Sequence, residues 1–319
     1  MQPFIAQTIK IGSLTLANRL IQGPLAGFSC APFRQLFNQF QAPAYTVTEM
    51  LSAHDVVHKH RLNSRYLYRA PDEKRLCYQI AGTNPQLMAE AARRLEGLGA
   101  DLIDINCGCP KEKIRKKGAG SALLEQPLLL AEIVASVRQA ISIPLTVKIR
   151  IQSNDSDMVL AKMIENAGAD ALVIHGRRWS DDYEKPVNYF QIAKIKADLT
   201  IPVIANGDIT EKKNLQEAFS QSQCDAVMIS RAGTGKPWLY QSLLQSKQHK
   251  VNLSQQLVLF QQHLQGLARL ENEFKAVLQS RSLLRYYFRN HLDNHQIQAL
   301  YRFDSLSPLD NQLRVYLAQ

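Results

Sequence analysis

Eight short apolar runs, rich in β-branched residues, recur along the first 230 positions, and each ends in a polar residue or a turn. They cover 19–24, 45–50, 76–82, 101–106, 143–150, 170–175, 201–206 and 224–230. Near-continuous apolarity over so short a length is how a strand buried on both faces reads. Between them, 85–98, 127–140, 158–167 and 212–220 carry helical periodicity. Strand and helix alternating eight times predict an α/β chain folded as a (β/α)8 TIM barrel, with a doubly wound open sheet as the runner-up. Internal similarity favours the barrel. Gly99-Ala100-Asp101 and Gly168-Ala169-Asp170 precede two of the runs, Cys224-Asp225 opens a third, and Ile143-Pro144 and Ile201-Pro202 open two more. A helix that ends in glycine and enters a buried strand is one unit reused.

After Trp238 the pattern changes. Glycine and proline nearly vanish, and helical periods run over 253–270, 273–291 and a last segment around 309–317. The expectation is a barrel domain over 1–245 and a small helical domain over 250–319, joined near 247–252.

Composition narrows the class. The chain has 319 residues, 45% of them hydrophobic and 21% charged, which excludes a mainly disordered chain or a coiled coil. No apolar run reaches the ~18 residues of a membrane span. The start, Met1-Gln2-Pro3-Phe4, shows no cationic segment leading into an apolar one, so no signal peptide is expected. Five cysteines, sparse and odd in number, suggest reduced thiols and a cytoplasmic protein. The net charge of +10 suggests a polyanionic partner without separating RNA, DNA and membrane.

Barrel enzymes place their chemistry where the strands end. The ends here present Pro24, Glu49, Gln79, Asn106, Lys148 with Arg150, His175, Asn206 and Ser230 with Arg231. The last two loops, Asn206-Gly207-Asp208 and Ser230-Arg231-Ala232-Gly233, suit a phosphate, and so a ligand such as flavin mononucleotide. Lys148 suits the electron-rich N1–O2 edge of a reduced flavin, with a structural ion pair to Asp104 or Glu49 as the competing reading. In Asn106-Cys107-Gly108-Cys109-Pro110 no second cysteine pair supports zinc. Cys109 reads as an acid, base or nucleophile and Cys107 as structural. His54, His58 and His60 lack a third ligand and carry no metal expectation. Gly118 to Ser121 and Gly233 to Pro237 fall short of a dinucleotide fingerprint and a P-loop. Basic residues gather in three clusters: Lys111, Lys113, Arg115, Lys116 and Lys117; Lys59, Arg61, Arg65 and Arg69; and Arg281, Arg285 and Arg289, on one helical face beside Tyr286 and Tyr287. They suggest a nucleic-acid track into the pocket.

The sequence resembles the tRNA-dihydrouridine synthases, most of all the bacterial B-type enzymes, over almost its whole length. The matching stretches are Pro24 to Gly27, Thr48 to Met50, Gln79 to Gly82, Asp104 to Pro110, Gly118 to Leu124, Val147 to Arg150, His175 to Arg177, Ile201 to Asp208 and Met228 to Ala232. The resemblance implies an FMN enzyme that uses NADPH to reduce D-loop uridines, with hydride delivered to uracil C6 and a proton to C5. It implies an FMN-binding barrel followed by a tRNA-binding helical domain. Cys109 would be the proton donor. Pro24, Leu25, Ala26, Gln79, Lys148, His175, Asn206, Gly207, Asp208, Ser230 and Arg231 would hold FMN. Asn106, Arg150 and Tyr183 would contact uracil. A monomer is expected, with no metal and no membrane. Three departures bear on cofactor and RNA fit: Ser230 where glycine is usual, Arg178-Trp179 where Thr-Arg or Thr-Lys is usual, and Arg115 where asparagine is frequent. The rival readings are an FMN dehydrogenase of a free pyrimidine, a ribosomal-RNA dihydrouridine synthase, and an RNA-binding protein with a vestigial flavin site.

Overall fold

The computed structural model describes residues 2–245 and 250–318, so 247–249 of the expected junction lie outside it. Eight strands form a closed parallel ring: β1 Leu20–Gln22, β2 Thr46–Val47, β3 Leu76–Ala81, β4 Leu102–Cys107, β5 Leu145–Arg150, β6 Ala171–His175, β7 Val203–Asn206 and β8 Ala226–Ile229. Seven lie inside the expected runs, and β4 runs one residue past its own, to Cys107. Neighbours in sequence are neighbours in the ring, and β8 returns to β1 through Val227 opposite Leu20. This is the TIM barrel that the alternation predicts. A further two-residue strand, Leu51–Ser52, pairs beside β3.

The helices are α1 Ala53–His58, α2 Pro85–Gly97, α3 Pro127–Ala140, α4 Ser156–Asn166, α5 Tyr189–Asp198 and α6 Lys212–Ser222. Proline opens α2 and α3, where its missing N–H costs nothing, and the Asn84 side chain caps the first turn of α2. The repeated aspartates gain a physical reason. Each accepts the first N–H of the preceding barrel strand: Asp101 from Leu76 at 3.0 Å, Asp170 from Leu145 at 2.8 Å and Asp225 from Val203 at 2.7 Å. Each also holds a cation, in Arg75, Arg138 and Lys196 respectively. The sequence repeat is thus a device that satisfies strand-end donors.

An antiparallel hairpin, Ile9–Ile11 with Leu14–Leu16, packs Ile9, Ile11 and Leu16 against Tyr45, Cys77, Leu102, Ala171 and Ala226. These lie at the starts of the strands, so the hairpin closes that end of the barrel with apolar side chains.

Two compact units partition the chain. The first holds the barrel: 1–26, 43–60 and 74–230. The second takes 27–42, 61–73 and 231–319. The break read from sequence at 245–250 falls inside the second unit, which also draws two segments from the N-terminal half. Its helices include Ala31–Gln35, Leu239–Leu244, α7 Leu253–Leu270, α8 Glu273–Phe288, α9 Asn294–Leu300 and α10 Leu306–Leu317. Asn252 and Asp293 start α7 and α9 with reciprocal capping boxes. Phe260, Leu264, Leu284, Phe288 and Leu300 fill the core of this unit.

A buried ion pair knits its early segments together. Arg34 Nε donates to Glu73 at 2.5 Å and Nη2 at 2.9 Å, with the two side chains only 1% and 3% exposed. Arg34 also donates to the carbonyls of Ser29 and Tyr68. Glu73→Ala strands a buried guanidinium and is expected to cost about 3–5 kcal/mol of unfolding free energy in denaturant titrations. The double replacement Arg34→Met/Glu73→Leu is expected to recover most of that loss. A Glu73→Ala protein as stable as the parent would refute the assignment.

Candidate active site at the C-terminal ends of the barrel strands

Alternation along β3, β4 and β5 brings Gln79, Asp104, Asn106, Thr146, Lys148 and Arg150 to one interior face, and the ladder sets Gln79 beside Asp104 and Asn106 beside Lys148. A directed hydrogen-bond chain joins them. Thr146 Oγ1 donates to Asp104 at 2.6 Å, and Gln79 Nε2 donates to the other Asp104 oxygen at 2.7 Å. Gln79 Oε1 accepts from Asn106 Nδ2 at 2.8 Å. Asn106 Oδ1 then accepts from the backbone N–H of Gly108 at 3.2 Å and of Cys109 at 3.0 Å. The chain therefore runs from a carboxylate within the barrel to the backbone of Cys109, and every amide on it has one sense.

The Cys109 loop is held from its other side as well. Its carbonyl accepts from Ser121 N at 3.0 Å. Gly120 adopts φ +63, and a Cβ there would come within 2.8 Å of the Cys109 carbonyl oxygen, so only glycine suits the position. Cys109 is partly exposed, whereas Cys30, Cys77, Cys107 and Cys224 are buried. Burial raises the Cys107 thiol well above its usual value, with Asp104 adding to it, which fits the structural role expected of Cys107.

Arg150 is buried and acts as a clasp. Its Nε donates to the Gly108 carbonyl at 2.8 Å and its Nη1 to the Arg178 carbonyl at 2.9 Å. The Tyr183 side chain is in hydrogen-bonding contact with the same guanidinium. Arg150, Tyr183 and Asn106 thus meet around the cysteine loop.

Lys148 has no hydrogen bond or ion pair to any described residue. The expected alternative, an ion pair with Asp104 or Glu49, is not formed. Burial, then Arg150, lowers the ammonium to about 8, while Asp104 and Cys109 act to raise it. Burial pushes Asp104 up to about 6 against the pull of Thr146, Gln79 and Lys148. Burial thus works against the charged form of both groups, while each favours the charge of the other.

His175, Asn206 and Gly207 adjoin at the ends of β6 and β7. Gly207 takes φ +133, and a Cβ on it would meet Val187 at 2.6 Å and His175 Cδ2 at 3.2 Å. Asn206 spends Nδ2 on the Met228 carbonyl at 2.8 Å. Asp208 does not offer a free carboxylate: buried Arg177 donates to both of its oxygens and also to the carbonyls of Tyr183 and Lys185. Pro24 and Leu25, half-buried, and Ala26, exposed, follow β1. Ser230 is accommodated by Gly23, whose absent Cβ would lie 2.5 Å from Ser230 Oγ. Arg231 opens the turn Arg231–Gly233 and is counted with the second unit.

These residues sit in the chain in a family's order. The dihydrouridine synthase family profile matches residues 21–311. The chain belongs to the dihydrouridine synthase family. A tRNA-dihydrouridine synthase B of Pseudomonas aeruginosa is 43% identical over 242 residues, 74% of this chain and 71% of that one. One of the same name from Vibrio cholerae is 33% identical over 314 residues, 96% of both chains. Among solved structures, a variant of NCR from Zymomonas mobilis superposes with a TM-score of 0.57 at 14% identity, over 80% of this chain and 95% of that one. A 2-naphthoyl-CoA reductase complex superposes with a TM-score of 0.57 at 14% identity over 76% of this chain, which spans 52% of that one. The two structures support the barrel fold alone.

Within this dihydrouridine synthase, sequence reasoning missed Asp104 as a site residue, along with Thr146 and Arg177. The signal for Asp104 was an acid two positions before Asn106 in an otherwise apolar strand. The basic clusters divide. Arg65 donates to Glu271 at 2.6 Å and to Gln279 at 3.0 Å, and Arg69 donates to the Glu73 carbonyl, so both serve the second unit internally. Lys59 pairs with Asp55. Tyr287 is a core residue, packed on Phe260. Arg285 and Arg289 are exposed and Arg281 is half-buried. Lys111, Lys113 and Lys117 are exposed, with no ion-pair partner among the described residues. No helix among those residues is long and apolar enough to cross a membrane.

Proposed function

We propose that this protein reduces uridines of the tRNA D-loop to 5,6-dihydrouridine, with FMN as cofactor and NADPH as reductant, as a cytoplasmic monomer. The observation that carries the reading is the directed chain Asp104–Gln79–Asn106–Cys109. It fixes one accessible thiol beside Arg150 and the unpaired Lys148. The family and the names of its relatives supply the substrate class. Residues 1–245 would carry FMN, and 250–319 would bind tRNA.

The residues present suit FMN. An ammonium inside the barrel with no direct ion pair among the described residues fits an electron-rich ring edge. The glycine-containing turn at Gly207, packed closely by Val187 and His175, with Asn206 and Ser230 nearby in the ring, fits a loop that would present backbone to a phosphate-bearing ligand. Pro24, Leu25, Ala26, Gln79 and Arg231 complete the proposed set. Asp208 would serve through its backbone, because Arg177 occupies its carboxylate.

FMN held by these residues would supply the hydride chemistry that links NADPH to uracil C6. The protein's share is positional and electrostatic. The target base is extruded from the folded RNA before it can enter the barrel mouth. Asn106 and Arg150, each held by at least two contacts, orient the uracil and stabilise charge that develops on its carbonyl. Lys148 supplies a fixed positive charge with no direct ion pair to displace. Cys109 gives its Sγ proton to C5. Hydride and proton together saturate one C=C bond, and the thiolate regains its proton from solvent.

Purified protein with FMN, NADPH and an unmodified tRNA transcript is expected to yield dihydrouridine at defined D-loop positions, read by nucleoside mass spectrometry after fragment mapping. Product on ribosomal RNA or free uracil, with none on tRNA, would overturn the reading in favour of those substrates.

A further inference from the structure

Two departures from the family pattern touch each other. The Arg115 guanidinium lies over the Trp179 ring, 3.7 Å from its centroid. Arg115 follows the cysteine loop, and Trp179 lies in the loop after β6. Arg115 is fixed by Ser121 Oγ at 3.0 Å and Glu125 at 2.7 Å, so it is not a wandering surface cation. Yet the indole it covers remains 41% exposed.

The ring is held in register with Cys109 by two routes. Through Arg115 and Ser121 it connects to the Cys109 carbonyl. Through the Arg178 carbonyl it connects to Arg150, which also holds Gly108. An aromatic ring that a protein backs with a cation, anchors by two paths and leaves open to water is pre-organised for a second flat partner. The surroundings specify the partner's charge. Lys111, Lys113 and Lys117 are exposed and unpaired among the described residues and lie between Cys109 and Gly118 in the chain. An apolar peptide gains nothing from them. A polyanion with planar groups gains from both the lysines and the ring.

We propose that Trp179 is a stacking platform for a nucleobase of the RNA, next to the uridine that enters the barrel, with the three lysines holding the adjoining phosphates. This rests on the RNA substrate proposed above. Arg115 is the positioning residue that fixes the ring. The platform makes Trp179 a determinant of which sequence context is accepted, because stacking strength differs among bases while every base has a flat face.

The test uses the full-length protein with FMN bound and an unmodified tRNA transcript. Trp179→Ala is expected to weaken tRNA binding by about 5- to 150-fold, the range for loss of one base–aromatic stack. Trp179→Phe should restore most of it. NADPH-driven flavin reduction without RNA should be unchanged in both. Replacing Lys111, Lys113 and Lys117 by alanine should reduce the salt dependence of binding, whereas Trp179→Ala should leave that slope alone. A direct readout comes from fluorescence. With Trp238→Phe, Trp179 is the one remaining indole, and tRNA should quench it. If that variant folds poorly, the difference between the parent and Trp179→Ala reports the same signal.

Tight tRNA binding with no quenching of Trp179, or with Trp179→Ala binding as well as the parent, overturns the platform and leaves the tRNA reading intact. Failure of the unaltered protein to bind tRNA overturns both.

Discussion

Cys109→Ala is expected to lower dihydrouridine formation by about 10²- to 10⁴-fold, the usual contribution of a positioned general acid. Flavin reduction by NADPH should proceed at the parent rate. The structure makes this a clean substitution. The backbone N–H of Cys109 is held by Asn106 Oδ1 and its carbonyl by Ser121 N, so the loop keeps its anchors when Sγ is removed. Single-turnover reduction of tRNA by pre-reduced enzyme is the measurement. Turnover equal to the parent would remove Cys109 from the chemistry and direct attention to Arg150 and Tyr183. Loss of flavin reduction as well would mean that the thiol supports the cofactor and not proton transfer.

Asp104→Ala should lower turnover by about 10²-fold although Asp104 is three hydrogen bonds from the Cys109 backbone, because misplacing a reactive group by an ångström costs about that much. An ionised carboxylate can only accept, so it obliges Gln79 to present its NH2 inward and Oε1 toward Asn106. Asn106 must then turn Oδ1 to the Gly108 and Cys109 amides. Without Asp104 both amides are free to flip, and Asn106 can aim donors at donors. Asp104→Asn separates this orienting role from charge. Its Oδ1 can still accept from Gln79 while Nδ2 donates to Thr146, so most of the turnover should return.

Stability should move the other way. The folded-state value of Asp104 is raised to about 6, mainly by burial. Its contribution to folding is therefore present at acid pH, below the ordinary carboxylate value, and is lost as pH rises through about 6. At neutral pH the charge is a net cost, and Asp104→Asn should melt no lower than the parent. Iodoacetamide labelling of Cys109, the one cysteine of five that is not buried, reports loop order independently of turnover. A parent-like labelling rate in Asp104→Ala together with full turnover would disprove the positioning role.

The barrel was legible because parallel strands buried on both faces leave near-continuous apolar runs, and all eight did. The site was legible as positions, since strand ends such as Gln79, Asn106, Lys148 and Arg150 are polar residues where apolarity stops. What joins them was not. Arg65 reads as part of a cationic cluster until Glu271, 206 residues away, is brought against it. Segments 27–42 and 61–73 read as barrel loops, yet they belong to the second unit, because local periodicity carries no information about contacts distant in sequence. Helix α9 escaped notice because seven residues hold too few turns to show a period. Asp208 looked like a ligand-binding acid, but Arg177 already engages it.

The N-terminal hairpin has a kinetic meaning. With Ile9, Ile11 and Leu16 stopping one end of the barrel, the strand C-terminal end is the side left for ligands. On the function proposed above, a nicotinamide and an extruded uridine would both come from that side. They would then have to take turns, with the electrons of the first held until the second arrives. The plug would thus turn two bulky reactants into a queue.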